Sequence, residues 1–180
     1  MSMVASKLWT ADMVRELPDD GNRYEAVDGV LLVSPPPRPL HSHVNFRLIV
    51  AIGNYLAREP VGRGFSVAEI STDPFTLIEP DVAVADRDEA RSSTWSRIKR
   101  YVLVVEIVSP SSRNADRVTK RLVYQRAGVE TYWVVDPDAG VVEVWTPEAV
   151  KPVIERSVLR WLPAGASAPF ELRLVELFAD

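Results

Sequence analysis

Residues 101–110, YVLVVEIVSP, decide the fold of this chain. The run is apolar at both odd and even positions, which is typical of a central strand covered on both faces, and Pro110 ends it. Glu106 stands in the middle of the run. An ionised carboxylate left unpaired there would be strongly destabilising or would become protonated. The sequence therefore predicts a compensating partner for Glu106: a lysine or arginine, a metal ion, or hydrogen-bond donors.

A second carboxylate is expected beside Glu106. Residues 75–88, FTLIEPDVAVADRD, are predicted to form a strand in which Asp81 directly follows a proline. Asp81 shares its face of that strand with two alanines, which leaves room for an ion. If this strand pairs with the central one, Asp81 and Glu106 converge. They then offer the two carboxylates that Mg²⁺ binds together with several waters.

A lysine is expected on the same side of the sheet. Residues 111–128 begin with serines suited to capping, carry no Gly or Pro in their interior, and close on Gly128, so they predict a helix. A wheel at about 100° per residue puts Asp116 and Lys120 one turn apart, on the face that carries Val123. Lys120 is the natural compensating charge for the buried carboxylate. Alternatively, it is the group that orients a water and stabilises an oxyanion.

Each of these residues also has a purely structural interpretation. Glu106 and Lys120 could form a structural salt bridge, at about even odds with a metal site. Asp81 after proline is more often a turn or strand-end cap than a ligand. A pair such as Asp116 and Lys120 is usually a surface ion pair worth about 0.2–0.5 kcal/mol. It is the joint occurrence of the four residues that favours a functional site.

The remaining segments surround the central strand with further elements. They predict a hairpin around Asp28 and Gly29, a first helix from an N-cap at Ser42 to about Arg58, a strand over residues 65–71, a hairpin over residues 131–145, and edge strands over residues 152–162 and 170–178. The order β-β-α-β-β-β-α-β-β indicates an α/β fold. We expect a twisted mixed sheet with a helix on each face.

Composition narrows the class of protein. The chain has 180 residues, of which 47% are hydrophobic, and this suits one domain over residues 1–180. It has no cysteine, which excludes disulfides and thiolate metal sites. No stretch approaches the roughly 20 apolar residues of a membrane span, so we expect a cytoplasmic protein. The net charge of -4 argues against strong, sequence-independent binding of nucleic acid without a local basic patch.

An ordered series of short motifs carries a family resemblance. The motifs are EPDVAV at 79–84, VVEIVSPSS at 104–112, DRVTK at 116–120 and YQRAGVETYWVVDP at 124–137. Together they resemble the Uma-type family of putative restriction endonucleases, within the PD-(D/E)XK nuclease superfamily. The similarity runs from about Tyr24 through Trp145. It implies a restriction-endonuclease-like core with a central mixed sheet, flanking helices and an N-terminal β-hairpin.

The resemblance also implies roles for individual residues. Asp81 stands for the PD aspartate and Glu106 for the acidic residue of the (D/E)XK strand, both as metal ligands, with the backbone carbonyl of Ile107 as a third ligand. The position two residues beyond Glu106 is Val108, so the strand lacks the lysine of the superfamily pattern. Lys120, on the following helix, is the lysine placed to substitute for it.

Two residues of the N-terminal part complete the expected site. Glu25 would add a carboxylate from the first hairpin, against the alternative of a solvent-facing hairpin residue. His41 precedes the predicted helix, where a histidine is more often a cap or a core residue than a ligand. The resemblance implies an endonuclease that hydrolyses phosphodiester bonds in DNA with Mg²⁺ or Mn²⁺. Family analogy and the need to cut two strands suggest a homodimer.

Two competing hypotheses stay open at this point. The chain could be a catalytically silent member whose nuclease fold serves as a binding or assembly module, a reading motivated by Val108 and the acidic net charge. It could also be a purely structural protein in which Glu106 and Lys120 form a buried pair. Metal affinity separates the silent module from a nuclease, because a silent module does not need Asp81 and Glu106 as a cation site. In a purely structural protein, replacement of both Glu106 and Lys120 by apolar residues should be tolerated.

Overall fold

A computed structural model describes residues 7–179. The elements follow in chain order as α1 (Ala11–Arg15), β1 (Arg23–Val27), β2 (Val30–Ser34), α2 (Pro39–Arg58), β3 (Gly62–Phe65), β4 (Ile70–Asp73), β5 (Thr76–Ile78), β6 (Val82–Asp86), two 3-10 turns (Glu89–Arg91 and Trp95–Arg97), β7 (Tyr101–Ile107), a π-helical stretch (Ala115–Lys120) that continues into α3 (Arg121–Arg126), β8 (Tyr132–Asp136), β9 (Val141–Trp145), β10 (Val153–Glu155), β11 (Val158–Trp161), β12 (Phe170–Arg173) and α4 (Leu174–Leu177). None of the helices in this part of the chain combines the length and the apolar character that crossing a bilayer requires.

Strand β7 is the centre of the main sheet, as its apolar run predicts. The six strands are ordered β10-β9-β8-β7-β6-β3, and β7 pairs antiparallel with β6 and parallel with β8. All seven residues of β7 are buried. The apolar side chains of Leu103 and Val105 pack in one core cluster with α2, whereas Val104 packs in the other cluster with α3. The prediction of a mixed sheet with a helix on each face is therefore confirmed.

The N-terminal hairpin forms a sheet of its own. It turns at Asp28 and Gly29, whose φ angles of 50° and 80° suit the predicted tight turn. β1 also pairs with β5, which gives a four-stranded sheet ordered β2-β1-β5-β4. A third, two-stranded sheet joins β11 and β12. The hairpin thus pairs with β5 rather than with the central strands.

Two predicted strands are each divided between the hairpin sheet and the central sheet. The strand predicted over residues 75–88 splits into β5 and β6, since β5 pairs with the hairpin and β6 with the central strand. Pro80, which has no N–H for a ladder, lies in the break. The strand predicted over residues 65–71 is likewise divided between the end of β3 and the start of β4. Residues 79–81 consequently form a junction between two sheets.

Helix α2 begins three residues before the predicted N-cap. Its first residue is Pro39, and Arg38 precedes it without a side-chain capping bond, so the assignment of Ser42 as N-cap is wrong. A proline at the first helical position is already set at the φ angle of a helix and has no N–H to satisfy. The earlier start places His41 in the first turn of α2, ahead of the buried Val44.

The second helix is present but is not regular. It opens with the π-helical stretch Ala115–Lys120, continues as α3, and is followed by Gly128 at a φ of 71°, as predicted for its C-terminus. Single π-turns are frequent at functional sites. This one carries both Asp116 and Lys120, and the buried hydroxyl of Tyr132 donates to the backbone carbonyl of Asp116 at 2.9 Å.

Packing between β3 and β6 leaves no room for a side chain at Gly62. A Cβ there would lie 2.6 Å from the carbonyl oxygen of Ala85, whereas a Cβ at Gly53, in α2, would meet nothing within 4 Å. We expect Gly62→Ala to lower the free energy of unfolding by about 1–3 kcal/mol, because backbone must move. Gly53→Ala should raise it by about 0.5–1 kcal/mol through helix propensity. Urea denaturation checks this, and equal shifts in the two variants would contradict it.

Candidate active site

A cavity of about 620 Å³ with several charged side chains in its lining lies where the two larger sheets meet. Its walls come from the start of β1, the first turn of α2, the junction at residues 79–81, the end of β7 and the π-helical stretch. A serine-rich loop at residues 109–112 and a run of prolines at residues 35–37 form parts of its rim. Each residue assigned to the site from the sequence either lines this cavity or contacts a residue that lines it.

Lys120 is buried within the site, with only 3% of its surface exposed. Its Nζ lies 2.8 Å from Oε2 of Glu25, 3.1 Å from Oε1 of Glu106 and 3.5 Å from Oδ1 of Asp116. Burial acts to lower the pKa of Lys120, but these three carboxylates outweigh it and raise the pKa above its ordinary value. The lysine is therefore a charged group held in the interior, and not one half of an exposed surface pair.

Glu106 has its two oxygens in different surroundings. Oε1 accepts hydrogen bonds from Nζ of Lys120 at 3.1 Å and from the hydroxyl of Tyr124 at 2.8 Å. Oε2 takes part in no hydrogen bond among the residues that the structure describes, and Glu106 lines the cavity. Burial raises the pKa of Glu106 well above its ordinary value, and the neighbouring Lys120 only partly opposes this. A group that favours the ionised form, such as a cation, would bring this pKa down.

Tyr124 is a site residue that the sequence reasoning missed. It is fully buried and lies one helical turn after Lys120, so the same wheel that places the lysine toward the sheet also places this hydroxyl there. It was overlooked because an aromatic on an apolar helix face is ordinary core.

Asp81 lies at the sheet junction, and each of its two carboxylate oxygens has at least one hydrogen-bond partner. Val82 pairs with Val105, and continuing this register by one residue sets Asp81 opposite Glu106. Its Oδ2 accepts from the backbone N–H of Ile107 at 2.8 Å and contacts Nε2 of His41 at 3.2 Å. Burial alone would raise the pKa of Asp81, but these bonds and a nearby arginine hold it below its ordinary value.

That arginine is Arg23, the second residue missed from the sequence. Its Nη2 donates to Oδ1 of Asp81 at 3.1 Å, and its Nη1 donates to the backbone carbonyl of Glu79 at 2.9 Å. Arg23 and Glu25 are two residues apart on β1 and so share a face. Once Glu25 is assigned to the site, this alternation assigns Arg23 to the site as well.

Glu25 and His41 both reach the site. Glu25 is 1% exposed, so the alternative of a solvent-facing hairpin residue is wrong. Its second oxygen, Oε1, accepts the backbone N–H of Glu79 at 2.9 Å and ties β1 to the junction. His41 faces Asp81 from α2, and its Nδ1 is buried without a hydrogen-bond partner in the described residues.

Val108, which stands where the superfamily pattern has a lysine, lies in an apolar environment. Val108 is 4% exposed and belongs to the core cluster on the α3 side of the sheet. The backbone N–H of Ile107 is used by Asp81, and Ile107 lines the cavity. Lys120 is thus the lysine whose Nζ stands beside Glu106, although it comes from the helix.

The site has an excess of acidic groups. Four buried carboxylates stand in or against the cavity: Glu25, Asp81, Glu106 and Asp116. Lys120 and Arg23 supply two positive charges against them. Burial also raises the pKa of Asp116 above its ordinary value. A divalent cation fits this balance of charge.

The donor set fits a cation that keeps much of its water. Within residues 7–179, no three Asp, Glu or His side chains are arranged to hold a metal ion by themselves. Mg²⁺ is usually bound by one or two carboxylates, with waters and substrate phosphates as its other ligands. Asp81 and Glu106 meet that requirement, and a site requiring three or four protein side chains does not fit here.

Comparisons with known proteins agree with this architecture. A family model named Uma2, described as "Putative restriction endonuclease", matches residues 11–173. The chain belongs to the Uma2 family. A crystal structure of a putative nuclease of the DUF820 group from Anabaena variabilis is similar in fold, with a TM-score of 0.75, 21% identity, and coverage of 95% of this chain and 98% of that chain. No curated protein gives a significant match. Family and fold together support a nuclease function.

Removing Lys120 should destabilise the protein strongly. In Lys120→Met the three carboxylates around Nζ lose their shared counter-charge, and we expect the free energy of unfolding to fall by about 3–5 kcal/mol. Lys151, which is exposed, provides the matched Lys151→Met control, with a change within about 0.5 kcal/mol. Urea denaturation at neutral pH measures both, and similar stability of the two variants would show that Lys120 does not hold the cluster together.

Asp81 should give the protein an acid-sensitive stability. Because its pKa is lowered in the folded state, its contribution is fully present above the unfolded value of about 3.9 and is lost as the pH falls through the lowered folded pKa. Asp81→Asn removes this titration. We expect the stability difference between wild type and variant to shrink as the pH falls from neutral through the lowered folded pKa of Asp81. A difference that stays constant over that range in urea denaturation would contradict the assignment.

Proposed function

We propose that this protein is a metal-dependent endonuclease that hydrolyses phosphodiester bonds in DNA, with Mg²⁺ or Mn²⁺ as its cofactor. The observation that carries the proposal is the convergence of Asp81, Glu106 and Lys120 on one cavity of a nuclease fold. The family membership supports the same reaction class. The fold alone would not suffice, because one fold hosts many functions.

The cation would be held by Asp81, Glu106 and the carbonyl of Ile107. When bound, it supplies a water of lowered pKa and a positive charge beside the phosphate. Glu106 offers Oε2 for this purpose, because Lys120 and Tyr124 fix Oε1 and so set the orientation of the carboxylate.

The remaining site residues hold these groups in place. Lys120 keeps a permanent positive charge at the floor of the cavity, where it stabilises negative charge that develops on the substrate. Glu25 holds the Lys120 ammonium, and His41 holds Asp81. In this proposal Glu25 and His41 act through their neighbours and do not touch the substrate.

We further propose a single nuclease domain that works as a homodimer in the cytoplasm. One cavity holds one scissile phosphate, and cutting both strands of a duplex in one encounter needs two such cavities. A two-fold dimer supplies them with the strand polarity that a duplex presents. The absence of cysteine is compatible with a cytoplasmic protein.

One observation favours a second candidate, a catalytically silent module for binding or assembly. Val108 replaces the strand lysine of the superfamily, and Lys120 is already held by three carboxylates. A silent module would keep this cluster for stability alone. It would have no affinity for Mg²⁺ or Mn²⁺ beyond that of an acidic surface.

Cleavage of DNA tests the proposal. Single-stranded, duplex and branched DNA are incubated with Mg²⁺ or Mn²⁺ and with wild type, Glu106→Gln or Glu143→Gln. Glu143 is the matched control because it is also buried, 9% exposed, but it pairs with Arg117 and Trp145 outside the cavity. We expect Glu106→Gln to reduce cutting by at least about a hundredfold, because it removes a direct ligand. Glu143→Gln should cut like wild type.

The controls separate the two candidate functions. Metal-dependent cutting that is lost only in Glu106→Gln supports the endonuclease. Wild-type protein that neither cuts any of the three DNA forms nor binds Mn²⁺ in calorimetry favours the silent module. Equal loss in both glutamine variants would show that stability, and not the site, is being measured.

A further inference from the structure

Arg23 is placed to do more than balance charge. It is the first residue of β1, and its side chain is 31% exposed while that of its partner Asp81 is 3% exposed. The guanidinium therefore contacts a buried site carboxylate, while the side chain remains accessible and lines the cavity.

The other cations of the cavity are placed differently. Among the described residues that line it, the lysine and arginine side chains are Arg23, Arg38 and Lys120. The side chain of Lys120 is 4% exposed and its ammonium is already surrounded by three carboxylates, so it acts on a substrate anion only as a charge at a distance. Arg38 is exposed beside the start of α2. Arg23 alone of the three is both in contact with a site carboxylate and accessible.

Arg23 also has unused hydrogen-bonding capacity. A guanidinium has five N–H groups in a planar fork that matches two phosphate oxygens. Two of them are used, one toward Asp81 and one toward the carbonyl of Glu79. The remaining N–H groups have no acceptor among the described residues, so the side chain can donate to a further acceptor without first breaking its bond to Glu79.

A cation on Asp81 would change the position of Arg23. Oδ2 of Asp81 already accepts the backbone N–H of Ile107, which the strand fixes in place, whereas Oδ1 is held by Arg23. A divalent ion on this carboxylate repels the guanidinium and satisfies the charge that had held it there. The bond to Glu79 keeps Arg23 at the wall of the cavity, and the anion then available to it is a phosphate of the bound strand.

We propose that Arg23 is a substrate-binding residue that exchanges Asp81 for a phosphate of the DNA strand when a cation occupies the site. This rests on the proposed function, since it requires both a cation and a phosphodiester substrate. Arg23 thereby competes with the cation in the free protein and cooperates with it once the substrate is bound.

The exchange predicts opposite effects on the two ligands. In Arg23→Gln, the cation no longer competes with an arginine for Asp81. We therefore expect Mn²⁺ alone to bind severalfold more tightly in calorimetry. Affinity for a short fluorescein-labelled single strand, measured by anisotropy with Ca²⁺ present to occupy the site, should fall by about tenfold or more, as the loss of a charge-assisted hydrogen bond requires. Arg23→Lys keeps the positive charge but lacks the planar guanidinium. Its affinity for DNA should lie between those of wild type and Arg23→Gln.

Arg117→Gln is the matched control. Arg117 is 26% exposed and donates at 2.8 Å to Asp136, a carboxylate 2% exposed, but this pair lies outside the cavity. The Arg117→Gln variant should lose stability as Arg23→Gln does, but its affinities for Mn²⁺ and for DNA should equal those of wild type. Thermal denaturation of all four proteins establishes that each is folded.

The outcomes separate this proposal from the broader one. Tighter Mn²⁺ and weaker DNA binding in Arg23→Gln support the exchange. If wild type binds Mn²⁺ and cuts DNA, but Arg23→Gln binds DNA as wild type does or loses both affinities together, the exchange is wrong and the proposed function stands. If wild type binds no Mn²⁺ and cuts nothing, both are overturned.

Discussion

A positive charge buried at Lys120 organises the site. The three carboxylates that hold it come from β1, β7 and the π-helical stretch, which are separate elements in different layers. Charges taken out of water are tolerated only when their partners lie at hydrogen-bonding distance. The hairpin, the central strand and the second helix must therefore converge at Lys120, and the cavity lies next to this point.

The junction at residues 79–81 is the second constraint. A proline in the middle of an extended run lets one continuous segment leave the hairpin sheet and enter the central sheet. Asp81 lies directly after that proline, where β6 begins opposite the end of β7. Backbone groups of Glu79 bind Arg23 and Glu25, so the junction also fixes the hairpin against the site. The same three residues thus connect the sheets and position the cavity wall.

Much of this arrangement could be predicted from the sequence. A run that is apolar on both faces specifies a central strand, and helical periodicity turns Lys120 toward it. The burial of Glu25 could not be predicted, because alternation in β1 tells which residues share a face but not which face another sheet covers. The start of α2 was misplaced because a serine capping signal competes with a proline that also favours a helix start. Tyr124 was missed because its apolar surroundings hide the single polar bond it makes.

The dispersed origin of the acidic groups links the site to the stability of the whole protein. Glu25, Asp81, Glu106 and Asp116 belong to four separate segments, and only the native chain brings them together. In the unfolded ensemble each is a solitary, hydrated carboxylate with little affinity for any ion. A ligand that binds only the native state shifts the folding equilibrium by mass action. The cation that we propose for this site would therefore also stabilise the native protein, by an amount that grows with the logarithm of the cation concentration.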